Sequence, residues 1–345
     1  MVLHPDSAAL PEACQHLAGL AEQSATGGPW ASGAMRALAH RGILSRFVPA
    51  DCGGTAADEA TLVETLAATA TACLTTALAV SQWAAAVRII AAGPAPVRAT
   101  LLPALARGDE FTTVGISQLT TSRRHLGRPA LAADRDDGGW RLDGICPWVT
   151  GADACETIVT GAQTTTGGQL FFVVPTAAAG AEIEPPLEML ALSGSRTAVV
   201  RLTGVRPAHV IEPAEKNTTR TGGLATTALA LGAARASIAV VASEAVGRQP
   251  LAPVAARLEA EFGGLFERLT RGAREGLAAE DRDSLRAAAT DLVLRAGQAA
   301  LTASKGAGFI TGHPVERLVR ESLFFLVWSC PQTVADALLC EFSGG

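Results

Sequence analysis

The 345-residue chain has no tyrosine, so no phenol can serve it as an acid, a base or a radical relay. Lysine is nearly missing as well, with only Lys216 and Lys305. The basic residues are dispersed arginines, and no tract of them forms the electrostatic footprint that nucleic acid requires. Seven cysteines (14, 52, 73, 146, 155, 330 and 340) are odd in number and form no C-x-x-C pair. Reduced, mostly buried thiols are expected. The six histidines show no metal-ligand spacing, so no metal site is expected. The first thirty residues carry Asp6, Glu12 and Glu22 without a long apolar run, which argues against a signal peptide. The most apolar stretch, Thr226 to Val241, is interrupted by Gly232 and Arg235, which argues against a membrane span. A cytoplasmic protein is expected.

What remains is rich in alanine and glycine, 48% hydrophobic, and mildly acidic at −5. The length exceeds one comfortable core, and two or three packed units are expected. Residues 1–109 read as helical: Ala31, Met35, Leu38 and Ala39 recur at helical spacing, and that helix ends before Gly42. Asp58 opens a long run, 80–92 and 96–106 read as two more helices, and Asp51-Cys52-Gly53-Gly54 reads as a turn. Across residues 110–213 six short β-like runs (112–116, 130–134, 140–143, 157–162, 170–174, 197–202) alternate with Gly, Asp and Thr turns, predicting a small barrel or sandwich. Residues 220–345 return to helical period, with runs over 226–244, 253–275, 284–302 and 314–340. Asp281-Arg282-Asp283-Ser284 offers an N-cap, and Pro331 should break or kink the last run. The fold class predicted is α+β: an N-terminal helical domain, a central small β-barrel and a C-terminal four-helix bundle.

The most informative segment is Cys146-Pro147-Trp148-Val149-Thr150-Gly151. Trp148 and Thr150 are two apart, so on a strand they share a face. An indole beside a hydroxyl can cover a flat aromatic cofactor and hydrogen-bond a ring nitrogen at its edge. The plainer alternative is a core tryptophan followed by a surface threonine. Upstream, Gly115-Ile116-Ser117-Gln118-Leu119-Thr120-Thr121-Ser122 places four hydroxyls after a strand, either as an ordinary polar loop or as a cradle for a phosphate or ribityl chain. Near the C-terminus, Lys305-Gly306-Ala307-Gly308-Phe309 precedes His313-Pro314-Val315-Glu316-Arg317-Leu318-Val319-Arg320-Glu321. The glycines read as a tight turn between two helices, either with amides free for an anionic group or simply ending one helix before Pro314 starts the next.

Together these segments resemble the acyl-CoA dehydrogenase family of flavoproteins. The "W-I-T" element of that family falls on Trp148-Val149-Thr150, its "GG-x-G-F … P-V-E-R-L-x-R-D" on 305–321, and its "T-E-P-G-A-G-S-D" loop on 117–124, in place more than in sequence. Its "G-S-D-T-A" strand appears as Gly194-Ser195-Arg196-Thr197-Ala198, and its "V-P … G-G" turn as Val48-Pro49 and Gly53-Gly54; both support the fold and carry no assigned chemistry. The resemblance implies FAD, with FMN as the shorter alternative, bound through Ile116, Ser117, Thr120, Trp148, Val149, Thr150, Thr302 and Gly306. Thr302 stands where a flavin-contacting Gln is usual, and Lys305 replaces a glycine. The "R-x-x-F-G" arm that reaches a neighbouring subunit's flavin falls on Ser243-Glu244-Ala245-Val246-Gly247, with Arg and Phe both gone.

Dehydrogenation of an acyl thioester needs a carboxylate base while hydride leaves to flavin N5. The family's usual base position is Ser329 here, and the alternative stretch, 225–231, holds no acid. Three readings follow. One is hydride transfer from an acyl-CoA-like or carrier-bound substrate with an unfamiliar base. Another is a flavin monooxygenase on the same fold, and the third a non-catalytic binding or assembly subunit. An electron-transfer flavoprotein or flavin reductase is the partner expected, and a homodimer or homotetramer the assembly.

Overall fold

The computed structural model describes residues 9–25, 32–120, 129–164, 168–212, 223–328, 334–336 and 339. Five helices come first: α1 (Ala9–Ala25), α2 (Ser32–His40), α3 (Glu59–Ala72), α4 (Leu74–Ala91) and α5 (Ala95–Arg107). Asp58 caps α3 as expected, its carboxylate accepting from the Thr61 amide at 2.7 Å. In the 51–54 turn, Gly53 adopts φ +85, and a Cβ on Gly54 would lie 1.9 Å from the Val48 carbonyl oxygen.

A single turn, α6 (Ser117–Thr120), sits among eight strands: β1 (Thr112–Gly115), β2 (Leu131–Asp136), β3 (Gly139–Val149), β4 (Thr157–Thr164), β5 (Gln169–Pro175), β6 (Ala181–Ile183), β7 (Ala198–Val205) and β8 (His209–Ile211). They form one sheet in the order β6-β7-β3-β2-β4-β5-β8, with β1 parallel to β4. The predicted barrel is corrected here: the sheet does not close. Its outer strands, β6 and β8, are three residues each and pair on one side only. Residues 140–143 and 146–149, expected as a strand and a following element, join in the eleven-residue β3. Pro147 has no N–H for a ladder, and a register shift between Cys146 and Val149 accommodates it. Leu131, Leu142, Val149, Ile158, Phe172 and Val200 fill a small core of their own.

The remaining helices are α7 (Leu224–Gly247), α8 (Ala252–Glu275), α9 (Ala279–Ser304) and α10 (Pro314–Leu323). They share a core with the first five. Backbones meet where α3 crosses α7: a Cβ on Gly232 would fall 2.3 Å from the Ala67 carbonyl oxygen, and Thr71 donates to the Gly232 carbonyl at 3.1 Å. α4 and α7 are long and apolar enough to cross a membrane, and both are mostly buried inside this fold. The expected cap at 281–284 lies inside α9, whose first turn carries Glu280 and Asp281 instead.

The expected run over 314–340 is interrupted, and residues 334–336 and 339 are helical again. α10 ends at Leu323 and a 3-10 turn follows over Phe324–Leu326. Arg286 on α9 is fully buried beside this turn, and its guanidinium donates to the carbonyls of Phe325 and Trp328 at 3.2 Å each and of Thr226 at 3.1 Å. Phe325 also stacks under the guanidinium, 5.4 Å from its ring centre.

Candidate functional site

β3 ends at Val149, fully buried in the small core. Trp148 beside it is 49% exposed, so the indole is not a sealed core residue. Thr150 lies past the strand end, in a turn closed by Gly151 at φ +62. The two-residue period therefore does not place Thr150 on the face of Trp148: the first is buried and the second exposed. They remain adjacent, with the Thr150 hydroxyl turned into the fold.

What holds Thr150 is a set of hydroxyls. Its backbone carbonyl accepts from the Thr113 hydroxyl at 2.8 Å. Its own Oγ1 lies 3.1 Å from Thr197 Oγ1, which lies 2.9 Å from Ser195 Oγ. Ser195, Thr197 and Thr150 are all buried. A second clasp crosses the same pair: Arg196 forms an ion pair with Asp153, which raises the arginine's pKa, and the Arg196 carbonyl accepts from the Gly151 amide. Arg196 at φ +48 and Leu192 at φ +63 hold left-handed conformations costly to side-chain-bearing residues. The 194–198 segment, read from sequence as support for the fold alone, thus supplies the scaffold of Thr150. The alternating hydroxyls of Ser195 and Thr197 were the available signal.

The loop after β1 lies against the same corner, since a Cβ on Gly115 would sit 3.0 Å from Val149 Cγ2. Ile116 and Ser117 are half-buried, and Thr120 closes α6. Thr121 and Ser122, the other two hydroxyls of this segment, lie outside the described residues, as does Ser329. Gln118 turns inward; its amide nitrogen donates to the carbonyls of Gly115 and Gly161 at 2.9 and 3.1 Å and to Thr160 at 3.1 Å. Cys146 beside it is fully buried, which pushes its thiol up to about 11 and leaves no thiolate near neutrality.

Thr302 lies in the last turn of α9 and Gly306 in the 3-10 turn that follows. Thr302 is exposed and donates to the Gln298 carbonyl at 2.9 Å, and Gly306 is exposed in the turn after α9. That turn packs on α9 and α10. Lys305 occupies φ +54, ψ −147, a region that favours glycine.

Among the described acids, Glu321 is fully buried, and burial raises its pKa against the opposing pull of Arg317, which donates to it at 3.1 Å. Arg320 pairs with Glu316 and also donates to the Leu190 carbonyl at 2.7 Å, tying α10 to the loop that carries Ser195. Glu321 is thus committed to a helix ion pair. The α7 segment 225–231 is buried and carries no acid. Among the described residues no His, Cys, Asp and Glu cluster could hold a metal ion.

A flavin ring fits this corner on two observations: a broad indole left uncovered beside a well-packed core, and next to it a threonine held through its carbonyl by Thr113 and through its hydroxyl by Thr197. Comparison with known proteins fixes the class first. Glutaryl-coenzyme A dehydrogenase superposes with a TM-score of 0.85 over 99% of this chain and 96% of its own, at 17% identity. KijD3, solved with FMN, superposes at 0.78 over 99% and 95%, at 19% identity. Dibenzothiophene monooxygenase (TdsC) from Paenibacillus sp. A11-2 does so at 0.81 over 99% and 98%, at 15% identity. This is the α+β acyl-CoA dehydrogenase fold over essentially the whole chain. Residues 12–109 match the family model described as acyl-CoA dehydrogenase, N-terminal domain. No curated protein matches it by sequence.

Proposed function

We propose that the chain is a flavin-dependent oxidoreductase acting on an acyl thioester, on coenzyme A or on a carrier. The observation that carries this reading is the half-exposed indole of Trp148 beside the anchored Thr150. A bound flavin would supply a ring that accepts hydride at N5. Trp148 would cover that ring and exclude water from one side of it. Thr150 would meet the N5 edge, Ile116, Ser117 and Thr120 would line the approach, and Val149, its side chain buried, would offer its backbone. Thr302 and Gly306 would serve the flavin of a second copy, which requires a homodimer or homotetramer. FAD is the cofactor proposed, with FMN, the flavin in KijD3, as the alternative.

A second reading is favoured by a specific observation: neither base position offers a carboxylate. Ser329 holds the first, and 225–231 is apolar or hydroxylic. General-base loss costs about 10²–10⁴-fold in proton abstraction. Oxygen activation at the flavin needs no such base, and one neighbour is a monooxygenase. Anaerobic mixing separates the two readings. Bleaching of the flavin by thioesters supports dehydrogenation; bleaching only by a flavin reductase, followed by oxygen-dependent hydroxylation, supports the second. Neither response would leave a binding subunit. Trp148→Ala should weaken flavin binding about tenfold through lost aromatic contact, read by fluorescence titration; unchanged affinity would remove the ring from that face.

A further inference from the structure

The loop between β6 and β7 holds two side-chain-bearing residues in left-handed conformations, Leu192 at φ +63 and Arg196 at φ +48. Such residues persist only where their surroundings leave no alternative. Ser195 lies between them and Thr197 follows, so the hydroxyls that hold Thr150 ride on a strained segment. Its restraints come from several sides. The Leu187 amide donates to the Thr197 carbonyl at 2.8 Å and closes the base of the loop. Leu192 is buried in the core shared by the helices, and Arg196 pairs with Asp153 of the facing turn. The Leu190 side chain is 65% exposed and gives no anchor. There the restraint comes from α10, where Arg320 Nη1 donates to the Leu190 carbonyl at 2.7 Å.

Arg320 is aimed before it reaches the loop. Its Nε and Nη2 donate to the two carboxylate oxygens of Glu316, one turn back, at 2.5 and 3.1 Å. This pairing holds Glu316 below the usual carboxylate range. A guanidinium is planar, so two bonds to one carboxylate also fix the direction of the remaining donors. We infer that Arg320, oriented by Glu316, is a positioning residue: it keeps the 190–196 loop in its strained form and thereby keeps Ser195 and Thr197 against Thr150. Without the bond to Leu190, relaxation of Leu192 carries Ser195 with it, since the Ser195 amide donates to the Leu192 carbonyl at 2.8 Å. The effect on cofactor binding rests on the flavin reading above; the effect on the loop does not.

Amide hydrogen exchange of the full-length protein, with no flavin added, tests the loop. In Arg320→Met the Ser195, Arg196 and Gly151 amides, all bonded within this corner, should exchange about tenfold faster, as expected for one lost charge-assisted hydrogen bond. The amides of α7 and α9 should change by less than about twofold. Unchanged exchange in the loop, or equal acceleration in the helices, would overturn the positioning role. Titration with FAD and with FMN tests the link to the site. Arg320→Met and Thr197→Val should each weaken binding about fivefold, and the double variant about fivefold as well, because both act on Thr150 through one loop. Single effects that multiply in the double variant would show that Arg320 does not act through the loop. Should Arg320→Met not fold, Glu316→Gln removes the orienting carboxylate and keeps the guanidinium. It should speed the same amides about threefold, and no change there would remove the orienting role. A wild type that binds neither flavin fails the functional reading, while the exchange result decides the loop by itself.

Discussion

At the scale of single residues, Lys305 shows how a motif can survive in place while its chemistry changes. The family pattern puts glycine there, and the reason is visible in the backbone: φ +54 with ψ −147 is open to glycine and strained for lysine. Lys305→Gly should therefore raise stability by about 1 kcal/mol, the strain relieved less the added chain entropy, as measured by urea denaturation. A loss of stability would mean that the lysine side chain contributes a contact outweighing the strain. Arg196 is a related case. The family's acid at this position is replaced by arginine, and Asp153 supplies the opposite charge from the facing turn. The tryptophan and threonine were legible as a pair because each residue type is rare in that role. Their relation was not legible, because the strand ends one residue before Thr150 and Pro147 forces a bulge just upstream. Ser195 and Thr197 were visible in the sequence, but nothing in one chain marks two common hydroxyls as facing a third 45 residues away.

At the scale of elements, the helices and most strands follow from period and capping. Asp58, Gly42 and the alanine-rich runs place α2 to α5 nearly where the structure has them. Tertiary contacts accompany the exceptions. Past the end of α10, Arg286, distant in sequence, takes the carbonyls of Phe325 and Trp328. Arg286→Leu should cost about 3 kcal/mol, since it leaves buried carbonyls without donors; equilibrium unfolding checks this, and a near-neutral result would show that water or a rearranged C-terminal segment replaces the guanidinium. Glu321 gives a pH signature. Burial raises its folded pKa above the unfolded value near 4.5, so its contribution favours the fold below that value and fades as pH rises through the folded pKa. Glu321→Gln keeps an acceptor for Arg317 and removes the buried charge. Relative to wild type it should therefore gain stability between pH 4 and pH 7. A variant whose urea midpoint runs parallel to wild type over that range would show that Arg317 fully offsets the burial.

At the scale of the molecule, the segregation of helical and β-like periods gave the architecture, and the closed barrel was the error. Six or eight short strands look alike whether or not the outer two meet, and here β6 and β8 stand at opposite ends of the sheet without pairing with each other. The surface also carries apolar residues without cover: Phe309 and Ile310 in the turn after α9 are 81% and 65% exposed, and Val246 ends α7. Exposed apolar groups of this kind fit an interface between copies. On the proposed assembly, sedimentation should give a dimer or tetramer, and Phe309→Glu should shift it toward monomer with loss of bound flavin; a monomeric wild type that still holds flavin would separate the site from any second copy.

The account depends on a tricyclic ring lying on Trp148 beside Thr150. An absorbance spectrum of the purified protein, with the mass of whatever denaturation releases, tests this most directly. The expected result is a yellow protein showing flavin bands and releasing FAD or FMN, or taking one up on addition. A colourless protein that acquires neither when both are supplied in excess would contradict it.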